Sequence, residues 1–128
     1  GHSRPALRRV ARLADGWHPV GANPAVPLRP AEFSSACDEL RRLTDAERRD
    51  YADLTICFKA PLYDKGRRGG KGVDRQPFSG SPAQIVGDIE TYARLGVDEL
   101  IFDFRSATLS ETMDRMGQFD AEIRSQTA

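Results

Sequence analysis

Residues 1–17 read GHSRPALRRVARLADGW and contain, in order, a helix start, an amphipathic helix and the beginning of a strand. Ser3 is a favourable N-cap and Pro5 suits a first helical turn, so the sequence predicts a helix that begins at Arg4. Apolar residues recur at intervals of three and four and share one face: Ala6, Leu7, Val10, Ala11 and Ala14. The rest of the chain repeats this arrangement of helix and strand.

The start of this helix has the chemistry of an anion site. Its first backbone N–H groups, the positive end of the helix dipole and the Ser3 hydroxyl all favour a negative ligand, and Arg4 adds charge. Flexible backbone at Gly1 completes a predicted phosphate site. Two alternatives remain open: most N-caps of this kind bind only water, and Gly1–Ser3 is also what a cleaved expression tag leaves behind.

The composition limits the chain to one domain of 128 residues with no net charge. The 19 basic residues are spread along the chain, so we expect neither a nucleic-acid partner nor a membrane partner. Apolar runs are far shorter than the roughly 20 residues of a membrane span, which predicts a soluble, cytoplasmic protein. Cys37 and Cys57 are predicted to be buried thiols rather than a disulfide, and we expect no metal site.

Helices and strands alternate in the predicted order helix, strand, helix, strand, helix, strand, helix, which indicates an α/β fold with a parallel sheet. The strands are predicted at residues 16–20, 54–60 and 99–104. The second is almost entirely apolar or β-branched, as is typical of a strand covered on both faces. After the helix that starts near Pro30, Thr44 is predicted to begin a further short helical segment at residues 46–51.

The last two helices carry clear capping signals. Ser81 and Gln84 have capping-box spacing, Gly96 ends that helix, and Thr108 precedes the last helix. Five apolar residues of the last helix are predicted to face the core: Leu109, Met113, Met116, Phe119 and Ile123. The two methionines are interpreted as core filler.

Residues 61–79 are predicted to be a flexible loop with a basic, glycine-rich centre at residues 65–72. A phosphate cradle is the alternative interpretation of this centre. It lacks P-loop spacing and does not lead from a strand directly into a helix, so a mobile surface loop or an active-site lid is favoured.

Three segments, in order, resemble the luciferase-like monooxygenase family, which includes deazaflavin-dependent oxidoreductases. Residues 1–19 resemble the start of that family's second half, where a helix leads into Ala-Asp-Gly-Trp. Residues 78–85 resemble the family's Gly-Thr-Pro-Glu-Gln helix start, and residues 95–101 resemble its Ala-Gly-Val-Asp-Glu strand entry.

The resemblance implies a (β/α)8 TIM barrel, of which residues 1–128 form a single partial domain. This domain corresponds to roughly the C-terminal half, with three strands and four or five helices. It also implies FMN or a deazaflavin coenzyme as cofactor, with its phosphate held by Gly1, His2, Ser3 and Arg4. Catalytic residues would lie upstream of this segment.

Barrel sites lie at the carboxyl ends of the strands, where this chain carries residues 59–63 and 103–105 as well as the predicted phosphate site. Trp17, His18 and Arg105 are therefore substrate-pocket candidates. Each histidine has a structural alternative, His2 as an exposed side chain and His18 as a hydrogen-bonded wall residue. For Arg105, an ion pair with Asp103 is the favoured interpretation.

Two functions are compatible with the sequence. The first is a flavin- or deazaflavin-dependent oxidoreductase or monooxygenase for a small organic substrate, present as a C-terminal fragment that we expect to be inactive alone. The second is a non-catalytic half-barrel that binds a phosphate-bearing ligand. Three strands cannot close a barrel, so we expect either a homo-oligomer or pairing with a missing N-terminal half.

Overall fold

The computed structural model describes residues 1–21, 23, 26–63 and 75–127. Helices and strands alternate there as predicted: α1 (Arg4–Leu13), β1 (Gly16–Trp17), α2 (Pro30–Ala46), β2 (Thr55–Leu62), α3 (Pro82–Arg94), β3 (Glu99–Asp103) and α4 (Leu109–Glu122). Short 3-10 helices span Tyr51–Asp53 and Arg124–Gln126.

The three strands form one parallel sheet in the order β1-β2-β3. β1 is shorter than predicted, because beyond Trp17 it pairs with β2 only through an isolated bridge between Val20 and Lys59. Pro19 lies between Trp17 and Val20, and a proline has no N–H to donate to a β-ladder. Its carbonyl still accepts a hydrogen bond from the Lys59 N–H at 3.0 Å.

The helices pack on one face of the sheet. Alternate β2 residues, Ile56, Phe58 and Ala60, are buried in a core shared with α1, α2 and α3. The Phe58 ring lies at the centre of this core, 5.3 Å from the ring of Phe33 and 4.7 Å from that of Tyr92, measured between centroids. Aromatic packing of this kind fixes the sheet firmly against its helices.

The opposite side of the sheet is called here the open face and carries Thr55, Cys57, Lys59, Glu99, Ile101 and Asp103. Its residues are half-buried or exposed, and no helix within the described ranges covers them. The prediction that β2 is covered on both faces is therefore wrong for this part of the chain. Covering a second face requires another layer or closure of the sheet, and the described residues supply neither.

The predicted break in α2 at Thr44 is also wrong. Thr44 is fully buried inside the continuous helix, where its hydroxyl donates to the Leu40 carbonyl at 2.8 Å. That internal bond satisfies the side chain without a cap. The expected short helical segment lies later, at Tyr51–Asp53, and is capped by the Asp50 carboxylate.

The apolar stripe predicted for α4 is wrong at three of its five positions. Leu109, Met113 and Met116 are 77%, 58% and 46% exposed, so the methionines are not core filler. Phe119 and Ile123 do pack inward. Polar anchors set the rotation of the helix, since Arg115 donates to the carbonyls of Tyr63 and Arg105 at 3.4 and 3.0 Å.

The connection from β2 to α3 is described only at its ends. β2 continues through Pro61 and Leu62, whereas residues 64–74, with the whole of the basic centre, lie outside the described residues. The flexible loop therefore stays a prediction. At its far end Arg75 makes a two-pronged ion pair with Asp88 of α3, at 2.7 and 2.6 Å, and Asp88 also accepts from the Phe78 N–H.

The predicted signals around α3 are confirmed. Ser81 and Gln84 form a reciprocal capping box, and Gly96 follows the helix at a φ of 97°. A conformation with positive φ favours glycine, as the sequence indicated.

Candidate functional site

The amino-terminal end of α1 lies beside the carboxyl end of β1. The indole N–H of Trp17 donates to the Gly1 carbonyl at 3.0 Å, which ties the residues before the helix to the sheet. Ser3 is the N-cap as predicted, but its side chain makes no capping hydrogen bond. The hydroxyl is thus not committed to the first turn, while the helix dipole favours an anion there.

Charges of both signs surround this helix start. Arg4 forms an ion pair with Glu39 of α2 at 3.2 Å, and Glu39 also contacts Arg42. His2 is half-buried and, with Arg4, lines an open cavity of about 650 Å³ between α1 and α2. Because Glu39 compensates its charge in part, Arg4 is a weaker anion ligand than its sequence position indicates.

The three predicted pocket residues occupy different environments. Trp17 is 1% exposed and stacks on Phe33 with a centroid distance of 5.7 Å, so it supports the site from the core side. His18 is exposed. Arg105 is 83% exposed and pairs with Asp103 at 2.8 Å, as the favoured interpretation expected. Roles for these three in substrate binding stay predictions.

On the open face the sheet register brings together residues that the sequence analysis did not connect. Cys57 of β2 lies opposite Glu99 of β3, and its thiol donates to the Glu99 carboxylate at 3.1 Å. This hydrogen bond raises the pKa of the Cys57 thiol. Cys57 is half-buried rather than buried as predicted, and both cysteines are free. Alternation along β2 and β3 predicts which residues of each strand share a face. Which residue of β3 lies opposite Cys57 depends on the register, which is a tertiary property.

Lys59 and Asp103 lie further along the same face, toward the carboxyl ends of their strands. The guanidinium and the backbone N–H of Arg105 both donate to the Asp103 carboxylate, and they lower the pKa of that carboxyl below its ordinary value. The Lys59 ammonium adds a smaller attraction in the same direction. The carboxyl end of the open face therefore carries two cations and one acid from these residues.

The described residues contain neither a metal-binding cluster nor a helix that could span a membrane. No group of three or more histidine, cysteine or acidic residues there stands close enough to bind a metal ion. No helix in the same ranges is both long and apolar enough to cross a membrane.

Comparison with known proteins reveals a similarity of fold. No protein-family model and no curated protein sequence matches this chain. Among solved structures, the chain is similar to the coenzyme F420-dependent tetrahydromethanopterin reductase from Methanopyrus kandleri. The TM-score is 0.67 at 13% sequence identity, over 100% of this chain and 50% of the reductase chain. The chain thus spans half the length of that enzyme, and its three parallel strands and associated helices are confirmed as part of a TIM-barrel-like α/β fold.

Proposed function

We propose that this chain is part of a deazaflavin-dependent oxidoreductase of the luciferase-like family and that it contributes the cofactor-phosphate site. The similarity of its fold to an F420-dependent reductase carries the proposal. The start of α1 supports it independently, because an N-cap hydroxyl that makes no capping bond lies at the carboxyl end of the sheet. Ligands of parallel α/β folds bind at that end.

In this proposal, the first-turn N–H groups and the Ser3 hydroxyl donate to the phosphate, with His2 and Arg4 at its margin. Trp17 holds the Gly1 carbonyl, so the segment is ordered before the ligand arrives. A Cβ placed on Gly1 would meet only the Ala6 Cβ, at 3.7 Å. The protein's own packing therefore does not require glycine there, and close approach of a ligand to the backbone supplies a reason for it.

The coenzyme, when bound, supplies the hydride chemistry, and this chain binds and orients it. Coenzyme F420 and FMN both carry a phosphate group that suits the site. The deazaflavin is preferred because the similar reductase is F420-dependent, and FMN is the alternative. A small organic substrate would enter from the carboxyl end of the sheet, where His18 and Arg105 are exposed.

The phosphate site is tested by calorimetric titration of the protein with coenzyme F420 and with FMN. Ser3→Ala should weaken binding about ten-fold, since a hydrogen bond to a charged group is worth roughly 1.5–3 kcal/mol. Ser125→Ala is the matched control, because its exposed hydroxyl donates to the Ala121 carbonyl in the last turn of α4, far along the sequence from α1. Equal affinities for the two variants, or no binding of either cofactor, would contradict the proposal.

A second candidate function is the self-associating half-barrel without catalytic activity. The exposed apolar side chains of α4, Leu109, Met113 and Met116, favour it, because a contiguous apolar strip marks an interaction surface. Sedimentation of the flavin-free protein tests this candidate: it requires a stable oligomer in the absence of any cofactor, and a monomer would exclude it.

A further inference from the structure

We infer that Lys59 binds an anionic group of the substrate, a carboxylate or a phosphate, at the carboxyl end of the open face. The word substrate rests on the function proposed above, whereas anion binding by Lys59 does not depend on it.

Both backbone polar groups of Lys59 are hydrogen-bonded to the segment that follows β1. Its N–H donates to the Pro19 carbonyl at 3.0 Å, and its carbonyl accepts from the Gly21 N–H at 2.9 Å. Gly21 in turn packs against the ring of Phe58, since a Cβ at position 21 would lie 2.4 Å from the Phe58 Cζ. Lys59 therefore projects from a rigid point in the sheet, as a binding residue requires.

The strand also changes course directly after this lysine. The pairing of β2 with β3 is regular through Lys59 and Ile101 and then shifts before the next pair, Leu62 with Asp103. Such irregularities re-aim side chains and are frequent beside active sites. Lys59 is therefore the last residue of β2 on the open face before the irregularity.

The surroundings of the ammonium group favour an external anion. Its neighbours at the same level of the sheet are the apolar residues Val20 and Ile101, and Lys59 is half-buried between them. Within residues 1–21, 23, 26–63 and 75–127 no hydrogen bond or ion pair reaches its Nζ. The acid that acts on it, Asp103, is already bound by Arg105. A half-buried lysine whose neighbouring acid is already engaged by another cation interacts strongly with an anionic oxygen.

The location separates this site from the phosphate site. Both lie at the carboxyl side of the sheet, but Lys59 is on the open face, whereas α1 packs on the opposite, helix-covered face. The start of α1 and Lys59 therefore suit two different ligands: a cofactor at the start of α1 and an acidic substrate on the open face.

The chain offers a direct test, because it contains only three lysines: Lys59, Lys65 and Lys71. Reductive methylation with 13C-formaldehyde labels all three without removing their charge, and Lys59→Gln assigns the Lys59 resonance. Sodium phosphate and sodium acetate are the probes, with sodium chloride at equal ionic strength as the reference. We expect the Lys59 resonance to shift saturably, with an apparent affinity about ten-fold higher than those of the other two lysines.

Arg105→Gln is a second test variant, which breaks the ion pair between Arg105 and Asp103. It frees the Asp103 carboxylate to compensate Lys59, so the apparent anion affinity of Lys59 should fall, and Asp103→Asn in the same background should restore it. Equal shifts of all three lysines, or an Arg105→Gln variant with unchanged affinity, would overturn the inference. A stronger response to phosphate than to acetate assigns a phosphate ester, and the reverse assigns a carboxylate.

Cofactor titrations distinguish failure of this inference from failure of the proposed function. If Lys59→Gln binds coenzyme F420 and FMN as the unaltered protein does, Lys59 serves a second ligand, as inferred. If Lys59→Gln loses the cofactor, the lysine belongs to the cofactor site and the substrate assignment is wrong. If neither cofactor binds but the Lys59 shift saturates, the anion site stands and the oxidoreductase proposal fails.

Discussion

Gly21→Ala tests the packing that holds Lys59 in place. The new Cβ would lie 2.4 Å from Cζ and 2.8 Å from Cε1 of Phe58, closer than non-bonded carbon atoms approach. The ring cannot swing away easily, because Phe33, Phe78 and Tyr92 pack around it with centroid distances of 5.3, 6.1 and 4.7 Å. Overpacking of this kind costs about 1–3 kcal/mol.

Gly87→Ala is the matched control for this substitution. Gly87 lies inside α3, and a Cβ there would have no heavy atom within 4 Å. Alanine in a helix interior is about 0.5–1 kcal/mol more favourable than glycine, so the control should be stabilised. The two variants are thus expected to move the free energy of unfolding in opposite directions.

Urea unfolding followed by the fluorescence of Trp17, the single tryptophan, measures both variants. A Gly21→Ala protein as stable as the unaltered chain would refute the steric argument. The cause is tested by repeating Gly21→Ala in a Phe58→Leu background, where the smaller side chain makes room. If the penalty persists there undiminished, the ring is not its origin.

The remaining predictions concern the loop end, the open face and α4. Asp88→Asn should lower the free energy of unfolding, measured in urea, by about 1–3 kcal/mol, because it weakens the half-buried ion pair with Arg75. Asp38→Asn, at the exposed ion pair with Arg41, is the control and should change it by less than about 0.5 kcal/mol. Glu99→Gln should lower the pKa of the Cys57 thiol toward its ordinary value. Alkylation of Cys57 by iodoacetamide at pH 8 should therefore become several-fold faster, and an unchanged rate and pH profile would contradict the hydrogen bond as the cause. Met113→Lys should shift any oligomer toward monomer in sedimentation velocity, whereas Ser110→Lys, an exposed substitution on the same helix that removes no apolar side chain, should not.

The sequence was most informative where local chemistry decides the structure. The capping box at Ser81, the glycine at Gly96 and the helix start at Arg4 depend on neighbouring residues alone, and all three are confirmed. The rotation of α4 depends instead on Arg115 reaching carbonyls of two distant strand ends. Helical periodicity gives the spacing of a stripe, but it does not decide which of two adjacent stripes packs inward when polar anchors compete.

The same distinction between local motifs and tertiary contacts applies to the candidate site. The helix start at Arg4 was predictable because it is a local motif, although the ion pair between Arg4 and Glu39 joins two helices and was not. A phosphate at this helix start stays a proposal. Residues of the open face were identifiable as a set by alternation along each strand. Their mutual contacts were not, because the register between β2 and β3 is a tertiary property, and a shift of one residue would bring Glu99 beside another partner.

Two regions that the described residues leave uncovered, the open face and the exposed strip of α4, differ in chemistry. The open face presents a lysine, a thiol bonded to a carboxylate and an arginine–aspartate pair, so an apolar layer placed on it would desolvate charged groups at high cost. The exposed strip of α4 presents Leu109 and two methionines, which gain free energy when another protein surface covers them. A single packing event cannot satisfy both. The open face is accordingly suited to bound ligands and ordered water, and the exposed strip of α4 is where we expect any association with another protein surface. This division is why the anion titration at Lys59 and the sedimentation of Met113→Lys test independent properties of the chain.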